Sequence, residues 1–150
     1  MTFGVICKIM IIEELRKIHA KYRLSKGDVS AHTKSAQKIT KEWQDAVCSD
    51  LIHREVKVSQ SSNEKIDIVD LSSLVAYELK VSGKNTHHEF YKDLIKVLTY
   101  NEYSDTNKKL KKLVFISESS GISSLQRRLD KKFVVMLKNT HGLSIEFVGL

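Results

Sequence analysis

The chain has 150 residues, 25 Lys+Arg against 18 Asp+Glu, a formal charge of +7, no proline and two cysteines. That length holds one domain with its own core, and a hydrophobic fraction of 41% excludes a disordered chain. Cys7 and Cys48 form one bridge at most, which excludes a disulfide-built scaffold, and the basic excess fits a polyanionic partner.

Phe3 to Ile12 is apolar except for Lys8 and is too short to span a bilayer. It lacks the basic lead and small-residue cleavage site of a signal peptide. It reads instead as a hydrophobic lead into a helix, in which Ile11, Leu15, Ile18 and Tyr22 recur at spacings of three and four. The helical pattern starts at Met10, a candidate start of translation, and without targeting signals the expected compartment is the cytoplasm. Ser25 to Ser35 is polar, contains Gly27 and predicts a loop. Ser35 to Leu51 predicts a second helix with Ile39, Trp43, Val47 and Leu51 on one face.

Three short strands follow: His53 to Ser59 around Val56 and Val58, Glu64 to Leu71 with Ile66 and Ile68, and Leu74 to Val81 with Val75, Tyr77 and Leu79. Helical spacing returns after Gly83 with Phe90, Leu94, Val97 and Leu98. Lys112 to Ser117 is a compact apolar run typical of a buried strand. Ser123 to Asn139 predicts one helix through Leu125, Leu129, Phe133 and Met136, ended by His141-Gly142. Leu143 to Val148 predicts a closing strand. The expected order is ααβββαβαβ, an α/β fold in which a single domain over residues 1–150 has a mixed β-sheet flanked by helices on both faces.

The stretch from Glu64 to Lys80 carries the chemistry. A turn centred on Ser72-Ser73 sets Leu71 opposite Leu74, Val69 opposite Ala76 and Asp67 opposite Glu78. Opposed side chains share one side of the sheet, with Cβ atoms roughly 4.5–5.5 Å apart, and Lys80 shares that side by alternation. Asp70 falls on the other face with Ile66 and Ile68, and a slip of one residue exchanges the two aspartates. Two opposed carboxylates repel each other; exposure to water, protonation of one acid or a shared cation relieves them. A hard divalent cation needs few protein carboxylates and keeps several waters, and it can polarise a phosphoryl oxygen and acidify a water. Lys80, with an ordinary pKa of about 10.4, suits positioning and charge neutralisation better than proton removal.

An acidic residue on one strand, a short hairpin and then Glu78-Leu79-Lys80 on the next resembles the PD-(D/E)XK nuclease superfamily. The resemblance extends to the element order α-β-β-β-α-β from about Ser35 to Ser117, and Ile66 stands where the family name has proline. It implies a restriction-endonuclease-like fold and a metal-dependent endonuclease, with Asp67 and Glu78 binding Mg²⁺ or Mn²⁺. The Leu79 carbonyl would join them, Lys80 would complete the site, and Glu42 on the preceding helix would contribute. Many relatives carry Gln on the helix after the lysine; Phe90-Tyr-Lys-Asp-Leu-Ile has none, and Lys92 is its substitute here. The implied reaction is phosphodiester hydrolysis by metal-activated water, leaving a 5′-phosphate, with DNA as expected partner and RNA as the alternative substrate. The competing expectation is a non-catalytic nucleic-acid-binding module or interaction subunit on the same fold. The small size favours a homodimer or a component of a larger complex, with no membrane partner.

At this charge density about three acid-x-base tripeptides arise by chance, and three end in lysine: Glu55-Val-Lys57, Glu78-Leu-Lys80 and Asp130-Lys-Lys132. Only Glu78 has an aspartate set opposite it by a hairpin. Lys84, His87, His88 and Lys92 are candidate phosphate contacts, although a polar helix start also explains the histidines. The clusters Lys108-Lys109, Lys111-Lys112, Arg127-Arg128 and Lys131-Lys132 suit a nucleic-acid backbone or a solvated face. Trp43 and the tyrosines read as core, and Cys7 and Cys48 as buried thiols.

Overall fold

Period-two alternation in the middle of the chain and helical spacing on either side of it produce a layered arrangement. The structure, a computed structural model, describes residues 2–23 and 29–150, and of residues 29–34 the backbone alone. The elements are α1 (Phe3–Arg23), α2 (Val29–Val47), β1 (Ile52–Lys57), β2 (Lys65–Asp70), β3 (Val75–Lys80), α3 (Thr86–Tyr103), β4 (Lys112–Ser117), α4 (Ser119–Arg128), α5 (Lys131–His141) and β5 (Ser144–Gly149). The five strands lie in chain order, β1 to β3 antiparallel and β3 to β5 parallel. Short connections suffice for the antiparallel pairs, residues 58–64 between β1 and β2 and 71–74 between β2 and β3, whereas the parallel ones require the helical crossovers α3 and α4–α5. The protein is therefore α/β with a mixed sheet.

Each face of the sheet buries its own core. On one face Ile11 and Leu15 of α1 and Trp43 of α2 pack against Ile68, Tyr77 and Val114, and the Trp43 indole donates to the Ile11 carbonyl at 3.0 Å. On the other, Phe90 and Leu94 of α3, Leu125 of α4 and Leu137 of α5 pack against Val69, Leu113 and Phe115. Among the described residues no helix is long and apolar enough to cross a membrane.

Several boundaries differ from the expectation. The first helix begins at Phe3, ahead of Met10: Cys7 is buried, and Lys8 Nζ stands 2.6 Å from Glu146 Oε1 on β5. Glu146 Oε2 is buried with no hydrogen-bond partner among the described residues. Of the polar stretch expected as a loop, Val29–Ser35 is helical and residues 25–28 lie outside the described residues. The second helix stops at Val47 because Ser49 turns the chain into β1, its N–H donating to the Ile52 carbonyl (2.9 Å) and its Oγ accepting from the Ile52 N–H (3.2 Å). Leu51 and Cys48 are consequently exposed, so Cys48 is not the buried thiol that its type suggested. The helix expected over Ser123–Asn139 is two helices, with Leu129 extended at the end of α4 and Asp130 capping α5 by accepting from the Lys132 N–H at 2.8 Å. The change of axis puts Leu137 in the core in place of Met136, which is exposed. The observed order is ααβββαβααβ.

Candidate functional site

The β2–β3 hairpin has the expected register: Ile68 pairs with Tyr77, Val69 with Ala76 and Asp70 with Val75. Asp70 is fully buried and holds the turn, accepting from the Ser72 N–H (2.9 Å), Ser72 Oγ (2.6 Å) and Ser73 Oγ (2.7 Å). Asp67 is thus the aspartate beside Glu78. There the two strands interleave side chains with backbone. The Asp67 N–H donates to Glu78 Oε1 at 3.3 Å, and the Leu79 N–H donates to Asp67 Oδ2 at 2.8 Å.

Strict alternation fails at this point. Ile66 packs on the α3 side and Ile68 on the α1–α2 side, not together on one face as expected. Across from Asp67, Glu55 of β1 has a left-handed backbone with φ +49°, and the ladder skips it between the pairs Arg54–Ile68 and Val56–Ile66. A side-chain-bearing residue in that conformation marks a local kink, and β1 also changes face there, Ile52 packing under α2 and Val56 toward α3.

Helix α3 supplies two further groups. Asp93 and Lys96 are one turn apart, and Lys96 Nζ lies 2.8 Å from Glu78 Oε1 and 3.0 Å from Asp93 Oδ1 while donating to the Lys65 carbonyl at 2.8 Å. Glu78 is only 2% exposed, so it meets this cation out of water. Burial is the largest cause raising Asp67, Glu78 and Asp93 above the ordinary carboxyl range. The Leu79 N–H and Lys96 oppose the rise at Asp67. Repulsion from Asp67 and Asp93 adds to it at Glu78, which stands well above its usual value. Asp93 is pushed up to about 6. Burial works against the Lys96 charge, yet Glu78 and Asp93 hold its pKa above the usual lysine value.

Asp67, Leu79, Lys80, Glu55 and Gln44 line a cleft of about 1210 Å³ at the carboxyl ends of β3 and β4, where open α/β sheets bind ligands. Glu78 lies behind this wall. Lys80 is on the Glu78 side, its Nζ 3.8 Å from Glu89 Oε1 of α3. Lys84 also lines the cleft. His87 is half-buried edge-on to Tyr91, ring centroids 4.9 Å apart, and is depressed by burial and then by Arg128. His88 is exposed. Lys92 is exposed and outside the cleft wall, and the α3 residues that meet Glu78 are Lys96 and, through it, Asp93. Glu42 is not part of the site either. Helix α2 faces the cleft through Gln37, Thr40 and Gln44, and Glu42, nearly opposite Thr40 and Gln44 on a 3.6-residue turn, bonds Lys21 Nζ (2.9 Å) and Tyr22 Oη (2.9 Å) of α1. Gln44 is the α2 residue that reaches Asp67, donating to its carbonyl at 3.0 Å.

Among the described residues no group of three His, Cys, Asp or Glu side chains is gathered to hold an ion. Asp67, Glu78 and the Leu79 carbonyl, the groups that the resemblance assigns to an ion, are oxygen donors of the hard type that suits a cation retaining its waters; Asp67 and Glu55 line the cleft, whereas Glu78 lies behind it with Oε1 held by Lys96. Burial raises both carboxyls, and at Glu78 repulsion from Asp67 and Asp93 adds to it; a bound cation would favour the charged form of each. Asp93 had a legible signal: it sits on the buried stripe formed by Phe90, Leu94 and Val97, where a solvated carboxylate does not belong. No protein-family model, curated protein or solved structure matches the chain.

Proposed function

We propose that the chain is a divalent-metal-dependent nuclease of the PD-(D/E)XK type with a restriction-endonuclease-like fold, hydrolysing phosphodiester bonds in DNA. The supporting observation is the interleaved pair, with the Asp67 N–H on Glu78 and the Leu79 N–H on Asp67, beside a cleft that Lys80 also lines. Asp67, Glu78 and the Leu79 carbonyl would hold Mg²⁺ or Mn²⁺, and such an ion polarises a phosphoryl oxygen and acidifies a water. The Leu79 N–H orients the Asp67 carboxyl. The Lys96 ammonium orients Glu78 and favours its charged form. Lys80 neutralises charge developing on the phosphate, restrained by Glu89, and Lys84 at the rim contacts the neighbouring phosphate.

One observation favours a non-catalytic nucleic-acid-binding module on the same fold: Lys96 already gives Glu78 a counter-charge. Supercoiled plasmid with Mg²⁺ or Mn²⁺ separates the readings. The nuclease nicks it, Glu78→Ala abolishes the nicking, and Lys80→Ala slows it on the order of 10²-fold. Nicking equal in wild type and both variants rejects the site, and binding without cleavage in either metal leaves the module.

A further inference from the structure

Among the described residues the cleft carries no basic excess: four basic residues line it against four acidic ones, and two of the basic ones, Lys41 and Arg54, are paired with Asp45. Uncompensated positive charge gathers at the other end of the sheet, where α3 connects to β4. Strand β4 runs from Lys112 at that end to Ser117 beside the cleft, a separation of roughly 17 Å for a six-residue strand.

This connection is held firmly. The buried Asn101 donates from Nδ2 to the Leu110 carbonyl (2.9 Å) and accepts from the Leu110 N–H (2.7 Å), while the Leu110 side chain is buried in the α3-side core. On the next residue, the Lys111 N–H donates to the Leu74 carbonyl (2.7 Å) and the Lys111 carbonyl accepts from the Ser144 N–H (2.9 Å). The anchored backbone presents Lys108, Lys109 and Lys111 to solvent, and the last turn of α5 brings exposed Lys138 and His141 to the same end. Lys108 has an exposed partner, Asp105, at 3.8 Å; Lys109, Lys111, Lys112 and Lys138 make no ion pair among the described residues. Like charges fixed side by side repel each other, and a phosphate backbone is the partner that relieves them.

We propose that this lysine-rich end is a second contact surface for duplex DNA, binding the phosphate backbone apart from the cleft. Lys109 and Lys111 are two steps apart on extended chain, roughly 6.6 Å, within reach of neighbouring phosphates for long flexible side chains. A single strand needs an aromatic platform as well. Tyr103 is exposed, not core as expected, but two residues on from Asn101 it lies nearly opposite the side of α3 that Asn101 bonds to Leu110. The partner is therefore the duplex, which presents one charge per roughly 1.7 Å of axis.

The test measures fluorescence anisotropy of a labelled duplex over a salt series in EDTA, so that no cleavage intervenes. Wild type is compared with Lys109→Ala/Lys111→Ala and with Arg16→Ala/Lys17→Ala, which removes the same charge from an exposed stretch of α1; melting curves confirm that both doubles fold. The slope of log K against log salt is expected to shrink by about 2 in the first double alone, with weaker affinity. An unchanged slope, an equal loss in both doubles, no duplex binding by wild type, or tighter binding of a single strand of the same length overturns the proposal. Failure of plasmid cleavage with this slope change intact rejects the nuclease reading and leaves the surface standing.

Discussion

Replacing Lys96 with Met keeps most of the buried stem and removes the ammonium that stands 2.8 Å from Glu78 Oε1 and 3.0 Å from Asp93 Oδ1. At pH 7 this strands buried carboxylates, and breaking a buried pair by removing one partner costs about 3–5 kcal/mol. The carboxyls escape by taking up protons. Asp93 already sits at about 6 with the lysine present, and Glu78 is well above its usual value; both rise further without it. Between an unfolded value near 4 and the raised folded value, the folded chain holds protons that the unfolded chain has released. Stability from these groups therefore falls as pH rises through that window and returns on acidification. The deficit of Lys96→Met is expected at about 3–5 kcal/mol at pH 7 and at about 1–2 kcal/mol at pH 5, where the lost bond to the Lys65 carbonyl remains. Urea unfolding reads it: with a slope of about 2 kcal/mol/M, the midpoint drops by about 2 M at pH 7 and by less than 1 M at pH 5. Mn²⁺ at a hundredfold excess over its dissociation constant restores about 2.7 kcal/mol. A midpoint loss equal at both pH values, unmoved by Mn²⁺, refutes the electrostatic account and leaves only lost packing.

Wild-type affinity for Mn²⁺, measured by calorimetry, should climb from pH 5 to pH 7, because raised carboxyls must release protons before they ligate; a flat profile removes Asp67 and Glu78 as ligands. Gly121→Ala puts a Cβ 2.7 Å from the Gly83 carbonyl oxygen and 2.7 Å from Thr86 Cγ2. It should cost about 1–3 kcal/mol, at about 2–4 °C of melting temperature per kcal/mol, and an unchanged melting curve disproves the close approach of α4 to the β3–α3 connection. Asp130→Ala deletes the cap between α4 and α5 and should cost about 1 kcal/mol, whereas no loss in urea unfolding argues for one continuous helix.

The hairpin register was legible because it depends on local facts: two serines at the turn and apolar alternation on either side. The same logic misassigned Ile66, since alternation assumes an unbroken strand and nothing in the residue type of Glu55 announces a left-handed backbone. Glu42 was chosen for its charge and its place in the chain. Helix phase decides otherwise, because Ile39, Trp43 and Val47 orient α2 so that Gln44 meets the hairpin and Glu42 meets α1. Lys96 was the least visible. It lies sixteen residues beyond Lys80, and its partner Glu78 is identified only by the packing of α3 on the sheet. The single long helix at the end was a failure of a different kind: the apolar period runs through Leu129 and Phe133, and the break depends on one capping aspartate.

The pairing of Lys8 with Glu146 has a bearing on solubility. Among the described residues both outer strands of the sheet have one edge without a neighbouring strand, and such edges can recruit strands from other chains. Strand β1 carries Arg54, Glu55 and Lys57 and the kink at Glu55, which discourage an added strand. Strand β5 reads Ser-Ile-Glu-Phe-Val-Gly, with Glu146 as its single charge. That carboxylate is part-buried against Lys8 of α1, and its Oε2 has no hydrogen-bond partner among the described residues. A charge within an otherwise uncharged edge strand disfavours edge-to-edge pairing, and on β5 that charge is held at 2.6 Å by Lys8 from the start of α1.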